Sequence, residues 1–136
     1  MSERPAILFL CVHNAGRSQM AAAFARVIGG EGVVVYGAGS SPGETLNPVV
    51  VDVMGECGID ISGESPRALT DEVGRSADVV VTMGCADACP VYPGICYQDW
   101  DVDDPAGRST AAVRTIRDDV ERRVRDLLDE LGVAGA

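Results

Sequence analysis

Residues 6–18, AILFLCVHNAGRS, join an uninterrupted apolar run to a short loop that holds one cysteine and one arginine. The run AILFLCV (6–12) is typical of a strand that is buried on both faces. The next segment, 16–30, ends at a glycine pair and carries four apolar residues at helical spacing, Met20, Ala23, Phe24 and Val27. This stretch therefore predicts a strand, a tight loop and a helix, with Cys11 at the carboxyl end of the strand.

The rest of the chain alternates predicted strands and helices. Three further strands are expected, GVVVYGAG (32–39), DVVVTM (78–83) and ICYQDW (95–100). Helices are expected at 47–58, where Asn47 is a cap and Pro48 the first helical residue, at 69–77 and at 109–132. The last helix has an apolar stripe of Val113, Ile116, Val120, Val124, Leu127 and Leu131.

This order predicts one α/β domain over residues 1–136, a small four-stranded parallel sheet with helices on both faces. Ligands in such folds bind at the carboxyl ends of the strands, which is where Cys11 falls.

Composition narrows the classes of function. The formal net charge is −10 and all eleven cationic side chains are arginine, which argues against nucleic acid or an anionic membrane as a partner. The apolar segment near the start is too short for a secretory signal or a membrane span, so we expect a cytoplasmic protein with reduced thiols. Five cysteines, an odd number, also fit a disulfide framework poorly.

The loop CVHNAGRS (11–18) has the residue types of an oxyanion site. Backbone N–H groups between a strand and a helix can surround an anion, and the helix dipole adds positive potential. The planar fork of Arg17 matches two oxygens of a tetrahedral oxyanion. The same environment stabilises a thiolate at Cys11, to which Ser18 could donate a hydrogen bond, so the loop can bind an anion and attack its central atom.

A second candidate is the acidic segment DWDVDDPAG (99–107). Displacing an oxygen from a tetrahedral oxyanion requires a proton for the departing group. Asp101, Asp103 and Asp104 crowd one another, and like charges favour a protonated carboxyl among them. We expect Asp104, beside Pro105, to be the acid.

A third candidate is GCADACP (84–90), directly after a predicted strand. In a helix, Cβ atoms four residues apart lie about 5–6 Å from each other, whereas a disulfide needs about 3.5–4.5 Å. Joining Cys85 and Cys89 would therefore distort a helical turn, so oxidation and shape should be coupled.

Five motifs together resemble one group of enzymes: FLCVHNAGRSQMA, YGAGS, NPVVVDVMGECGIDIS, DVVVTMGCADACP and YQDWDVDDPAG. The chain resembles thioredoxin-coupled arsenate reductases built on the low-molecular-weight tyrosine phosphatase fold, in the family's order and over nearly its whole length.

The resemblance implies a relay of three cysteines. Cys11 would attack arsenate while Asp104 protonates the departing oxygen. Cys85 would then attack the Cys11–arsenic adduct and release arsenite, and Cys89 would form a Cys85–Cys89 disulfide for thioredoxin to reduce. Arsenate, or phosphate or sulfate as an analogue, would be held by a loop of seven residues, Val12, His13, Asn14, Ala15, Gly16, Arg17 and Ser18. No bound cofactor and no metal are implied.

Two departures from the family pattern stand out. The spacer between Cys85 and Cys89 has three residues where some members have six, so the redox segment should move less or differently. Ala22 replaces a glutamate that in some relatives is linked to a potassium site, and a structural cation is therefore not expected here.

Four other functions stay open at this point. A tyrosine phosphatase would use the same loop and acid, although such enzymes usually follow the Asp-Pro pair with an aromatic residue that this chain lacks. A mycothiol-dependent reductase would need one catalytic cysteine. A metal module would use Cys85, Cys89 and Cys96, but their spacing is not a tight zinc pattern. An arsenite sensor is the fourth.

The remaining singled-out residues have structural interpretations. Cys57 and Cys96 are expected to pack rather than react, and His13 to face solvent. Asn14 is expected to order the loop through its amide, and Trp100 to pack near the acidic segment.

Overall fold

Four parallel strands form the central sheet. In this computed structural model, which describes residues 4–84 and 94–133, they are β1 (Ala6–Cys11), β2 (Val34–Gly39), β3 (Val79–Met83) and β4 (Cys96–Asp99). Their order is β2-β1-β3-β4. The predicted α/β class and the predicted four-stranded parallel sheet are confirmed.

The helices are α1 (Arg17–Gly29), α2 (Pro48–Glu56), α3 (Asp71–Ser76) and α4 (Thr110–Glu130), with a short 3₁₀ turn at Gly30–Gly32. Asn47 caps α2 by accepting from the Val49 N–H at 3.0 Å, and Pro48 occupies its first turn. The predicted start of this helix is therefore confirmed. No helix of residues 4–84 or 94–133 is long and apolar enough to cross a bilayer.

Both faces of the sheet are covered, but unequally. Side chains alternate along β1, so Ile7 and Phe9 belong to a large cluster with α1, α2 and α4. Leu8 and Leu10 belong to a smaller cluster on the opposite face, against which Val73 of α3 packs. All six β1 residues are buried, which explains the uninterrupted apolar run.

Helix α1 differs from its predicted amphipathic pattern. Every residue from Ser18 to Ala25 is buried, because the helix lies between the sheet and α4. Val27, which we predicted to be part of the apolar stripe, is 63% exposed, and that prediction is wrong. In α4, Leu128 is fully buried, although the predicted stripe left it out.

Ion pairs at the surface join the C-terminal end of α2 to the N-terminal part of α4. Glu56 lies 2.8 Å from Arg114 and 3.0 Å from Arg117, measured between nitrogen and oxygen. The hydrogen bond from Arg114, assisted by that from Arg117, lowers the pKa of Glu56 from 4.5 to about 2. This network lies at the end of α2 remote from Asn47.

The predicted packing of Cys57 and Cys96 is wrong, because both thiols are exposed. Cys57 lies just beyond the last residue of α2. Cys96 pairs with Val79 on β3 whereas Cys11 pairs with Met83, so the two cysteines are about 13 Å apart along the strand direction. Neither thiol is near the loop that follows β1.

The strand register aligns the ends of three strands at one edge of the sheet. Cys11 pairs with Gly39 on one side and with Met83 on the other. The carboxyl ends of β1, β2 and β3 therefore lie side by side, at the edge where a parallel sheet binds its ligands.

Candidate active site

The loop between β1 and α1 ends in a helix terminus that has no side-chain cap. Gly16 is the N-cap residue of α1 and makes no capping hydrogen bond. The first N–H groups of the helix therefore have no capping side chain, and with the positive end of the helix dipole they favour an anion.

The backbone carbonyls of the loop accept hydrogen bonds from the segment that follows β2. Four of them accept N–H groups from residues 40–47: Cys11 O from Ser40 at 3.2 Å, Val12 O from Ser41 at 2.8 Å, His13 O from Gly43 at 2.9 Å, and Ala15 O from Asn47 at 2.9 Å. In a trans peptide the N–H of the next residue points the opposite way. The following N–H groups of the loop are thus turned away from the 40–47 segment, as an oxyanion cradle requires.

Cys11 is buried and its sulfur has two hydrogen-bond partners within the loop. Cys11 Sγ lies 2.9 Å from Ser18 Oγ and 3.2 Å from the Asn14 nitrogen, which donates to it. Asn14 Nδ2 in turn donates to Ser18 Oγ at 2.5 Å. The expected roles of Ser18, as a partner of the sulfur, and of Asn14, as an organiser of the loop, match these contacts.

Asn14 has an unusual backbone conformation. Its φ of 51° is the single positive value at a non-glycine residue among the described residues. The left-handed region costs an ordinary residue about 1–2 kcal/mol, although asparagine tolerates it better than most. This conformation directs the Asn14 N–H toward the sulfur.

Arg17 is held by the acidic segment. Its side chain is only 11% exposed, and Nη1 donates to Val102 O at 3.2 Å while Nη2 lies 3.8 Å from Asp104 Oδ2. Gly84 closes the other side: a Cβ on this residue would lie 2.7 Å from Arg17 Nη1, and its φ is +87°. A side chain at position 84 would therefore displace the guanidinium.

Asp104 meets the loop through its neighbour Pro105. A Cβ on Gly16 would lie 2.7 Å from Pro105 Cγ, so glycine is required for this close approach. Asp104 Oδ1 accepts from the Ala106 N–H at 3.0 Å, which orients the carboxyl. Asp101 and Asp103 are exposed and do not line the cavity.

These elements enclose a cavity of about 70 Å³. Its lining consists of Cys11, His13, Ala15, Gly16, Arg17, Asn47, Asp104, Pro105 and Ala106. No Phe, Tyr or Trp of the described residues is among them. The cavity suits a single small oxyanion, with sulfur, guanidinium and carboxyl groups at its wall.

The predicted site residues fall into three groups. Cys11, Arg17 and Asp104 converge on the cavity, and His13, Ala15 and Gly16 line it, with His13 exposed as expected. Val12, Asn14 and Ser18 are not part of the lining. Asn14 and Ser18 instead contact the Cys11 sulfur on the side away from the cavity. Cys85 and Cys89 lie outside the described residues.

Trp100 packs as predicted. Its side chain is buried directly before the acidic residues, with its ring centroid 5.9 Å from that of Phe9. Sequence reasoning did not single out Gly84, which lies against Arg17, or Gln19, whose Nε2 donates to Asn14. The only available signal was that each directly neighbours a residue already singled out.

The side-chain oxygen of Asn14 accepts two hydrogen bonds. Asn14 Oδ1 accepts from both Gln19 Nε2, at 3.1 Å, and the Arg67 N–H, at 2.9 Å. Ala22 presents only its methyl group near Gly37 and supplies no carboxylate there. The described residues also contain no group of three His, Cys, Asp or Glu side chains that could hold a metal.

Comparisons with known proteins identify relatives of this chain. Residues 6–134 match the sequence model of the low molecular weight phosphotyrosine protein phosphatase family. A putative arsenate reductase of Halobacterium salinarum is 42% identical over 127 residues, covering 90% of this chain and 89% of that protein. Arsenate reductase 2 of Staphylococcus saprophyticus is 36% identical over 131 residues, covering 93% and 98%.

A solved structure agrees with these sequence relatives. The thioredoxin-dependent arsenate reductase of Corynebacterium glutamicum matches with a TM-score of 0.85 and 41% identity. The match covers 98% of this chain but 64% of that protein, so this chain spans slightly less than two thirds of that relative's length. The resemblance predicted from the sequence motifs is confirmed.

Proposed function

Because the chain belongs to the low molecular weight phosphotyrosine protein phosphatase family, we propose that Cys11 is a nucleophile that attacks arsenate and begins its reduction to arsenite. One observation carries the proposal: the Cys11 sulfur accepts from the Asn14 N–H and contacts Ser18 Oγ at a cavity shared with Arg17 and Asp104. The relatives described above are named arsenate reductases, which supports arsenate as the oxyanion.

The first step forms a sulfur–arsenic bond. The Cys11 thiolate attacks arsenic(V), Arg17 and the loop N–H groups hold the remaining oxygens, and one oxygen departs. Asp104 supplies the proton with which that oxygen leaves as water. The distance of 3.8 Å between Arg17 Nη2 and Asp104 Oδ2 supports a joint action of the two groups on one oxyanion.

The second step transfers two electrons to arsenic. The Cys85 thiolate attacks Cys11 Sγ, the sulfur–arsenic bond breaks with its electron pair on arsenic, and arsenite leaves with arsenic in the +3 state. The two sulfurs are left as a Cys11–Cys85 disulfide. Gly84, the residue before Cys85 in the chain, lies against Arg17 and so supports an attack from this side.

The remaining steps regenerate Cys11. The Cys89 thiolate attacks Cys85, which frees the Cys11 thiolate and leaves a Cys85–Cys89 disulfide. An external dithiol, in this proposal thioredoxin, reduces that disulfide. A thioredoxin-coupled cycle belongs in the cytoplasm, where thiols are kept reduced.

Trapping the disulfides tests the relay. Protein oxidised by arsenate without reductant, then alkylated and digested, should contain the Cys85–Cys89 pair by mass spectrometry. Cys89→Ser should instead accumulate Cys11–Cys85 and release one equivalent of arsenite. Cys96→Ser is the matched control and should behave like the unmodified protein. Undiminished multiple turnover by Cys89→Ser with thioredoxin and thioredoxin reductase would refute the relay.

Two assays separate the competing functions. Steady turnover with mycothiol but not with thioredoxin would replace the proposed reductant while keeping Cys11 as the nucleophile. A phosphatase would hydrolyse p-nitrophenyl phosphate efficiently and leave arsenate unreduced. The residue that follows Pro105 in the lining is the small Ala106, which favours a small oxyanion over a phosphotyrosine side chain.

A further inference from the structure

Gln19 is a buried side chain that touches the catalytic loop but not the cavity. It lies in the first turn of α1, is 6% exposed, and is absent from the cavity lining. Its Nε2 lies 3.0 Å from Asn14 O, 3.1 Å from Asn14 Oδ1 and 3.3 Å from Ser65 O. All three partners are carbonyl oxygens, which only accept, so this end of the amide has to be the NH₂ group.

The hydrogen bonds that begin at Gln19 end at the reactive sulfur. Gln19 donates to the Asn14 amide oxygen, and the Asn14 amide nitrogen donates to Ser18 Oγ at 2.5 Å. Because Ser18 Oγ already accepts this bond, its own hydrogen can be directed to Cys11 Sγ at 2.9 Å. Donors therefore run in one direction, toward the thiolate, and polarise one another.

Gln19 also completes the bonding of the loop carbonyls. The carbonyls of residues 11, 12, 13 and 15 are bonded by the 40–47 segment, whereas that of Asn14 accepts from Gln19. Asn14 is also the residue in the left-handed conformation, with φ 51°. Such a conformation persists where the surroundings hold it in place. Gln19 and the Arg67 N–H bond Asn14 from two sides.

We propose that Gln19 is a positioning residue for oxyanion binding and for the Cys11 thiolate, acting through the left-handed Asn14. The inference rests on the proposed function of the loop and adds to it a residue outside the cavity. Loss of the Gln19 donor would let Asn14 relax, turn its N–H away from the sulfur and weaken the Ser18 contact. Both anion binding and thiol reactivity would then decrease together.

Inorganic phosphate and iodoacetamide are the probes of the first test. We expect Gln19→Leu to weaken phosphate binding, measured by calorimetry, and to slow Cys11 alkylation at neutral pH, each by about tenfold. Alkylation is followed for each cysteine by peptide mass spectrometry, and the rate at the exposed Cys57 should not change. Gln98→Leu, the same change at the other glutamine of the chain, is the control and should retain both properties.

A charge variant separates positioning from simple packing. In Gln19→Glu the side chain keeps its shape, but a carboxylate would face three carbonyl oxygens and could not donate. Protonation restores one donor, so its phosphate affinity relative to the unmodified protein should rise as the pH falls from about 8 to about 5.5. The same ratio for Gln19→Leu should stay constant.

Three results would overturn the inference. They are a folded Gln19→Leu that binds phosphate and alkylates normally, a Gln19→Glu that matches the unmodified protein at every pH, and parallel losses in Gln98→Leu. These readouts need neither arsenate nor thioredoxin, so a failed relay would leave the inference standing. Failure of the unmodified protein to bind phosphate would overturn both the inference and the proposed oxyanion site.

Discussion

Ser18→Ala tests whether the hydrogen bonds behind the sulfur control its reactivity. The hydroxyl contacts Cys11 Sγ at 2.9 Å and accepts from Asn14 Nδ2 at 2.5 Å, and both Ser18 and Asn14 are fully buried. Alanine removes the Oγ atom with no other change of shape. The sulfur loses one partner and the buried Asn14 amide is left without its acceptor.

The two losses act on different quantities. A hydrogen bond to a charged group contributes about 1.5–3 kcal/mol, which corresponds to a decrease of about 10- to 150-fold in any step that depends on the Cys11 thiolate. An unsatisfied buried amide costs about 1–3 kcal/mol of folding free energy. We therefore expect a slower first chemical step together with a lower urea midpoint.

The assay follows one turnover and compares two serine variants. Rapid mixing with arsenate, followed by quenching and arsenite detection, gives the rate of the first round. Ser109→Ala is the matched control: its hydroxyl caps α4 by accepting from the Ala112 N–H at 3.2 Å, so its loss costs about 1 kcal/mol of stability away from the cavity. A Ser18→Ala rate equal to that of Ser109→Ala would refute the reasoning.

Three further predictions follow from the same geometry. Gly84→Ala and Gly132→Ala each place a side chain at positive φ, which lowers the free energy of unfolding by about 1–2 kcal/mol. Only the new side chain at position 84 would contact the Arg17 guanidinium, so only Gly84→Ala should weaken phosphate binding in calorimetry. The pKa of Glu56 is lowered from an ordinary 4.5 to about 2, so its ion pairs stabilise the fold above pH 4.5 and this stabilisation is lost as the pH falls from 4.5 toward 2. The difference in urea midpoint between the native protein and Glu56→Gln should therefore be largest near neutral pH and should shrink between pH 4.5 and about 2. Cys57→Ser should leave arsenate turnover unchanged, because the thiol lies just beyond the C-terminus of α2, remote from the loop after β1; a several-fold loss would contradict the assignment of the relay to other cysteines.

Local sequence patterns were sufficient wherever neighbouring residues decide the structure. The apolar run 6–11 became a fully buried strand, and the Asn47-Pro48 pair began a helix as predicted. Apolar periodicity failed to predict the exposed residues of a helix that is buried on more than one side. Residues 18–25 of α1 are all buried, so apolar periodicity could not show that Val27 is exposed to solvent.

Sequence alone determined which reactive groups this protein offers: a thiol and a guanidinium six residues apart at a strand-to-helix loop, with an acid later in the chain. Tertiary structure decided which remote groups complete that loop. Asp104 meets Arg17 across 87 positions, Gly84 lies against the same guanidinium, and the Arg67 N–H donates to Asn14 Oδ1. The physical reason is that spacing reports on neighbours along the chain, whereas the partners of a buried amide or guanidinium depend on which distant strands lie side by side.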